Sequence, residues 1–401
     1  MTINYSDLQP ALHRGNPLIE ALPPITADRA TLTKELQLGP RMSMEACRAD
    51  PLHLRVHNVH TLDSVYLPTP VSLRIADATD EALRAAYVPR NPMTRDGEHY
   101  RYQDFDPSWS PISSVASLGC LYAEAESGLG KTTMFNRILA RYPQVIIHQA
   151  YRGVPFHQTQ LVWIRVQTPR GGATIQLLWD LLGAIDQALA AHGIQSSFRP
   201  SQKKGDLMDR LSRAARTLFL GLIHIDDVQQ FCASTRGEDE VRGFLVRLTE
   251  VVKVPLLLTG TLEATKFFGG GFEVARRACS LGAFEITRAK SASDSIFDAL
   301  ARHLLSFQLV DRPLEVTSEL VQELYDMSKG VTAVLKKLHI DAQKIAMKAP
   351  HVKAGSVSLT LAHYKAAAAS LKVLAAQLRD LNPKLSEVEA FAQAASSELH
   401  Q

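Results

Sequence analysis

The chain has few cysteines for its length. The four in 401 residues, Cys47, Cys120, Cys232 and Cys279, stand far apart and form no paired spacing. That argues against a disulfide framework and fits a reducing cytoplasm, with cysteines serving as small core residues. Long hydrophobic runs are missing too. No stretch reaches about 18 apolar residues, so no membrane span is expected. The opening MTINYSDLQPALHRGNPL has no basic start followed by an apolar run, so no secretory leader is expected. Charge of one sign does not dominate: 44 Lys and Arg against 41 Asp and Glu leave a formal net charge of +3. Any nucleic-acid contact must therefore come from a local patch. Internal repeats are absent, and there is no low-complexity tract beyond an alanine bias near the end (Ala366–Ala369, Ala375, Ala376).

What is present is core-forming material. Hydrophobic residues make up 46% and charged residues 21%, enough for two or three domains and too apolar for a disordered chain. Residues 1 to about 110 are rich in Pro, His and Arg and have weak periodicity, which predicts an irregular region with short helices near 25–37 and 77–86. From about 116 short apolar runs alternate with helical patterns, the texture of α/β units around a parallel sheet. The expected strands are 118–125, 160–167, 219–226, 254–260 and 283–286. The clearest helix is 174–192, where Ile175, Leu178, Leu182, Ile185 and Leu189 share one face before Gly193. After 290 only helical patterns follow, near 292–307, 315–328, 331–347 and 356–380. The expected division is an N-terminal region (1–110), an α/β nucleotide-binding core (111–290), a helical lid (291–350) and a helical tail (351–401).

The stretch LYAEAESGLGKTTMFNRIL carries most of the chemistry. A phosphate loop requires Gly, four residues, then Gly-Lys-Thr or Gly-Lys-Ser; here Ala125 holds the first glycine's place. Glu126, Ser127, Gly128, Leu129, Gly130, Lys131, Thr132 and Thr133 form the expected cradle for ATP. Backbone N–H groups and the helix N-terminus would face the phosphates. Lys131 would neutralise the β- and γ-phosphates, and Thr132 would offer its hydroxyl to Mg²⁺. The run LFLGLIHIDDVQQF ends an apolar strand in Asp226 and Asp227. Asp226 is the expected metal-organising acid, acting through water since Mg²⁺ keeps much of its hydration. Asp227 stands where a carboxylate would polarise the attacking water. At the end of VPLLLTGT, Thr259 or Thr261 either touches the γ-phosphate or the water, or Thr261 caps the next helix. GFEVARRACSLG places Arg276 and Arg277 as candidates for an arginine supplied across a subunit boundary.

The order of these motifs resembles an AAA+ ATPase, and more narrowly the TnsC/TniB group of transposition regulators. The likeness spans about 116–347, carried by TQLVWIRVQTPRGGATIQLLWDLLGAIDQAL, LIHIDDVQQF, LLLTGTLEATKFF, FEVARRACSLG and LYDMSKGVTAVLKKLHIDAQKIAM. The resemblance implies ATP and Mg²⁺ as cofactors and homo-oligomeric rings or helical filaments on double-stranded DNA. It also implies a link between a target-selector protein (TniQ/TnsD-like) and a transposase. Carried over, Lys131 and Thr132 match the loop, Asp226 the metal acid, Thr259 the sensor strand end, and Arg277 or Arg276 the trans-acting arginine. Many members have glutamate where Asp227 stands; aspartate retracts the carboxylate by about 1.5 Å, which predicts slow, regulatory hydrolysis. The lid offers Lys336 and Lys337 where a sensor arginine is expected. Other readings are a clamp-loader-like or remodelling ATPase, or a slowly hydrolysing nucleotide-switch scaffold.

On a DNA-encircling assembly, basic residues should meet phosphates with little base readout. Arg165, Thr168 and Arg170 in RVQTPRGG, with Lys203 and Lys204 in SQKKGD, are the expected contacts; Arg210, Arg213 and Arg216 form a further basic stripe. Cys47, His53, His57 and His60 do not have a zinc-finger spacing. His224, inside an apolar strand, reads as a core histidine, and the glycines 269–271 as a flexible loop.

Overall fold

The computed structural model describes residues 3–102, 119–195, 203–233, 238–264, 280–349 and 355–371. It separates into two compact units. One comprises 1–36, 68–127 and 132–286; the other comprises 37–67, 128–131 and 287–401. The first 110 residues therefore do not group as one body.

The first unit holds the sheet. Its strands are β1 (Cys120–Ala125), β2 (Val145–Tyr151), β3 (Val154–Leu161), β4 (Trp163–Gln167), β5 (Leu222–Asp226), β6 (Leu256–Gly260) and β7 (Ala283–Ile286). Five of them form one sheet in the order β4-β5-β6-β1-β7, every pair parallel. All residues of β5 and β6 are buried. That explains their unbroken apolar runs: a parallel sheet covered on both faces leaves no polar side. β7 alternates exposed and half-buried residues, as an edge strand should. The helix Thr174–Ala190 buries Leu177, Leu178, Leu181, Leu182, Ile185 and Leu189 in the same core as Ile164 and Val166 of β4. It ends before Gly193, whose φ is +73°.

One expectation fails here. The run 160–167 is not a single strand. Leu161 pairs with Val145 in an antiparallel β2–β3 hairpin, whereas Trp163 pairs with Leu222 in the main sheet. The chain changes partner at Val162, and an apolar run does not record that change. The N-terminal segments are also more regular than their prolines suggest. Helix Pro70–Tyr87 begins with a capping box in which Thr69 and Ser72 each bond the other's backbone N–H. It then buries Arg84 and Tyr87, and Arg90 follows it. The Arg90 guanidinium donates to the Leu220 carbonyl and the Tyr87 hydroxyl to that of Phe219, fixing the turn that feeds β5.

The second unit is helical: Met44–Ala49, Leu52–Asn58, Ser295–Leu305, Ser318–Ser328, Thr332–Lys348 and Leu361–Ser370. At its centre His339 is fully buried. Its Nε2 donates to the Phe307 carbonyl at 2.9 Å, and its Nδ1 accepts from the Tyr364 hydroxyl at 2.7 Å. The Arg55–Asp311 ion pair, at 2.7 Å, ties the early helices into this unit. Among the described residues, no helix is long and apolar enough to cross a membrane.

Candidate nucleotide-binding site

The sheet order sets where a ligand can approach. The chain leaves β1 toward β4 on one side, while β6 connects to β7 on the other. The order reverses between β1 and β6, and in open α/β sheets ligands bind outside the carboxyl ends of strands at such a point. The phosphate loop starts at the carboxyl end of β1, and Thr259 and Gly260 end β6. Asp226 ends β5, next in the sheet.

The loop has the backbone its sequence demands. Gly128 and Gly130 have φ of +84° and +83°, a conformation that side chains disfavour. The Gly128 carbonyl accepts from the Ala333 N–H at 2.9 Å, and a Cβ on Gly128 would sit 3.0 Å from Cγ1 of Val331. Lys131 opens the nine-residue helix Lys131–Leu139. Ser127 and Thr132 are exposed; Glu126, Leu129, Lys131 and Thr133 are half-buried. Ala125 is the last residue of β1, fully buried and paired with Ile286. The missing first glycine is thus a strand residue, not part of the turn.

Asp226 is 2% exposed and is held from several sides. Its Oδ1 accepts from the Thr259 hydroxyl at 2.6 Å and from the Asp227 N–H at 3.0 Å; its Oδ2 accepts from the Arg165 guanidinium at 2.6 Å. A buried carboxylate stays charged only with such partners. Arg165 also donates to Oδ1 of Asn136. Thr259 is fully buried, and its hydroxyl proton is committed to Asp226. The Thr259 hydroxyl thus bonds the acid directly. Asp227 has φ +58°, and its Oδ1 accepts from the Gln229 amide at 3.2 Å. Gln229 in turn accepts from the Thr261 N–H, joining the turns after β5 and β6.

The expected DNA contacts separate. Arg165 is engaged with Asp226, and Thr168 is buried with its hydroxyl donated to the Asp226 carbonyl at 2.9 Å. Both reach the acid because β4 lies beside β5, with Arg165 opposite His224 and Gln167 opposite Asp226. Arg170 remains exposed on the Arg170–Gly172 turn, which packs on the Val228–Ala233 turn. There Gly172 lies so close to Phe231 that a Cβ would stand 3.1 Å from the Phe231 Cα. Lys203 is exposed; Lys204 lies 3.5 Å from Glu240 and over the Phe244 ring. The arginine stripe breaks, since Arg213 is exposed while Arg216 is buried on the Ser212 hydroxyl. Steps of three residues drift around a helix of 3.6 per turn. Arg276, Arg277 and glycines 269–271 lie outside the described residues.

Cys47 is buried while His53, His57 and His60 are exposed, and no group of three or more His, Cys, Asp or Glu able to hold a metal occurs among the described residues. On helix Thr332–Lys348, Lys336 donates to the Asp63 carbonyl, where burial pushes its ammonium pKa down, and Lys337 pairs with Asp341. The residues that sequence reasoning missed are Asn136, Gln229 and above all His224. His224 is buried as expected, but its Nε2 lies 2.9 Å from the Thr259 hydroxyl. The available signal was strand alternation, since residues two apart share a face and Asp226 follows His224 by two.

Residues 116–268 match the family model described as AAA domain. No match is found among curated proteins. Among solved structures the chain is similar to a Walker-type ATPase of Pyrococcus abyssi, at 12% identity over 73% of this chain and 78% of that one, with a TM-score of 0.43. It is similar to the ORC2 protein of Aeropyrum pernix in its ADP form, at 17% identity over 63% of this chain and 62% of that one, TM-score 0.40. It is also similar to the ORC1 protein of the same organism in complex with DNA, at 15% identity over 63% and 59%, TM-score 0.43. The chain spans less than two thirds of the length of both Aeropyrum proteins. The parallel five-stranded sheet, its flanking helices and the matched domain are those of the AAA+ fold.

Proposed function

We propose that this AAA-domain chain binds ATP with Mg²⁺ and uses the nucleotide to control its own assembly on double-stranded DNA. In this reading it is a transposition regulator that links a target-selecting protein to a transposase. The observation that carries the nucleotide half is the glycine-shaped loop after β1, at the reversal point of a sheet in which buried Asp226 ends β5, one strand beyond β6. The transposition half is supported by the order of motifs from the loop to the lid.

In this site the loop amides and the N-terminus of helix Lys131–Leu139 bind phosphate oxygens, and Lys131 adds a point charge. Thr132 and Asp226 are the residues that would hold Mg²⁺, which supplies charge neutralisation at the β- and γ-phosphates. Asp227 orients the attacking water, and Arg276 or Arg277 of an adjacent subunit steadies the charge that develops. Arg170, Lys203 and Lys204 meet DNA phosphates; Arg165 and Thr168 serve Asp226 instead. Residues 1–110 dock the target selector and the tail after 350 contacts the transposase. The site of action is the cytoplasm.

Removing charge at Arg170 and Lys203 tests the DNA surface. Binding should weaken to a similar degree on unrelated sequences, and the salt dependence should lose about one unit of slope per phosphate contact removed. Unchanged binding and slope would move the surface elsewhere. A slowly hydrolysing switch scaffold is the second reading, favoured by the short Asp227 side chain and its bond to Gln229. ATPase assays with and without double-stranded DNA separate the two: DNA-stimulated turnover supports the enzyme, and tight binding without turnover supports the scaffold.

A further inference from the structure

We propose that His224 is a positioning residue for the Asp226 carboxylate, acting through the Thr259 hydroxyl. This inference rests on the nucleotide reading of the site.

Three side chains stand in series across two strands. Oδ1 of Asp226 lies 2.6 Å from Oγ1 of Thr259, and Oγ1 lies 2.9 Å from Nε2 of His224. All three residues are buried. A hydroxyl has one proton to give. Directed at the imidazole, it would leave two lone-pair-bearing oxygens facing each other at 2.6 Å beside a charged carboxylate. The proton therefore lies toward Asp226, and Thr259 accepts from His224. Nε2 carries a hydrogen, which assigns the relay as His224 N–H to Thr259 O–H to Asp226 carboxylate.

The relay does what Thr259 alone would do less well. Without a donor on its oxygen the buried hydroxyl can rotate away, and Asp226 then loses one fixed partner. The Phe135 ring packs against His224, with ring centroids 5.2 Å apart and planes tilted 42°. Phe135 belongs to helix Lys131–Leu139, so that helix and the acid share a support. Arg165 fixes the other carboxylate oxygen independently. With both oxygens oriented, Asp226 presents one geometry toward Mg²⁺ and its waters. Partners that orient a ligand commonly alter metal affinity by about 10–100-fold when removed.

The test uses the full chain, a fluorescent ATP analogue and graded Mg²⁺. His224→Leu should raise the Mg²⁺ concentration for half-maximal binding by about tenfold, with metal-free nucleotide affinity unchanged. His224→Gln, whose amide N–H can donate to Thr259, should recover most of that loss. Thr259→Val should match His224→Leu, and the double variant should add little further, because both break one chain. Equal Mg²⁺ dependence in all four would overturn the proposal. A second readout needs no nucleotide: nitrogen NMR of histidine-labelled protein should show the His224 Nε2 protonated, and an unprotonated Nε2 would also overturn it. Should the unsubstituted chain bind no ATP, the functional reading falls and the NMR result still decides the relay.

Discussion

At the scale of single residues, two departures from the phosphate-site pattern have unequal weight. Ala125 closes β1 and is fully buried against its neighbours, whereas the turn itself is shaped by Gly128 and Gly130. Ala125→Gly should leave ATP affinity nearly unchanged in an equilibrium binding assay; a large change would mean that position 125 shapes the cradle. Asp227 is the consequential departure. It sits in a left-handed turn with its carboxylate bonded to Gln229, and its side chain is one methylene shorter than a glutamate. Asp227→Glu should raise steady-state turnover, and unchanged turnover would remove Asp227 from the hydrolytic step. The loop, Asp226 and Asp227 were all legible as motifs because each depends on local order along the chain. The partners of Asp226 were not. Arg165 and Thr259 come from β4 and β6, strands adjacent to β5 only after folding, so no spacing announces that they meet Asp226; only His224, two residues before it on β5, left a signal in strand alternation.

At the scale of elements, the sheet was legible where strands are buried on both faces. β5 and β6 read as plain apolar runs, and helix Thr174–Ala190 as a clean helical stripe. The hairpin was not, because β3 runs into β4 through Val162 without a polar break. Its one signal was the turn at Arg152 and Gly153, both with positive φ, between VIIHQAY and VPFHQTQL. The feed into β5 is tightly specified. A Cβ at Gly221 would enter the Tyr87 hydroxyl and come within 2.5 Å of the Val162 carbonyl oxygen. Gly221→Ala should therefore destabilise the fold by about 1–3 kcal/mol, read by urea denaturation. A neutral result would show that helix Pro70–Tyr87 does not bear on this turn.

At the scale of the whole molecule, stability should depend on pH through buried histidine. Burial lowers the His339 pKa from 6.5 to about 4, against the raising effect of its bond to the Phe307 carbonyl. Between those values the unfolded chain binds the proton and the folded chain does not, so folding is weakened as pH falls. The full contribution holds above pH 6.5 and is lost toward pH 4, about 3 kcal/mol in all. His13, His148 and His303, also lowered chiefly by burial, act in the same direction. Urea midpoints should fall from pH 7 to pH 5, less steeply in His339→Leu; parallel profiles would deny His339 this role. The central claim concerns assembly, and electron microscopy of the full chain on double-stranded DNA tests it most directly. With ATP or a slowly hydrolysed analogue, the chain should form rings or helical filaments on the DNA, absent without nucleotide and absent in Lys131→Ala. A monomer indifferent to nucleotide, with DNA left bare, would contradict the account.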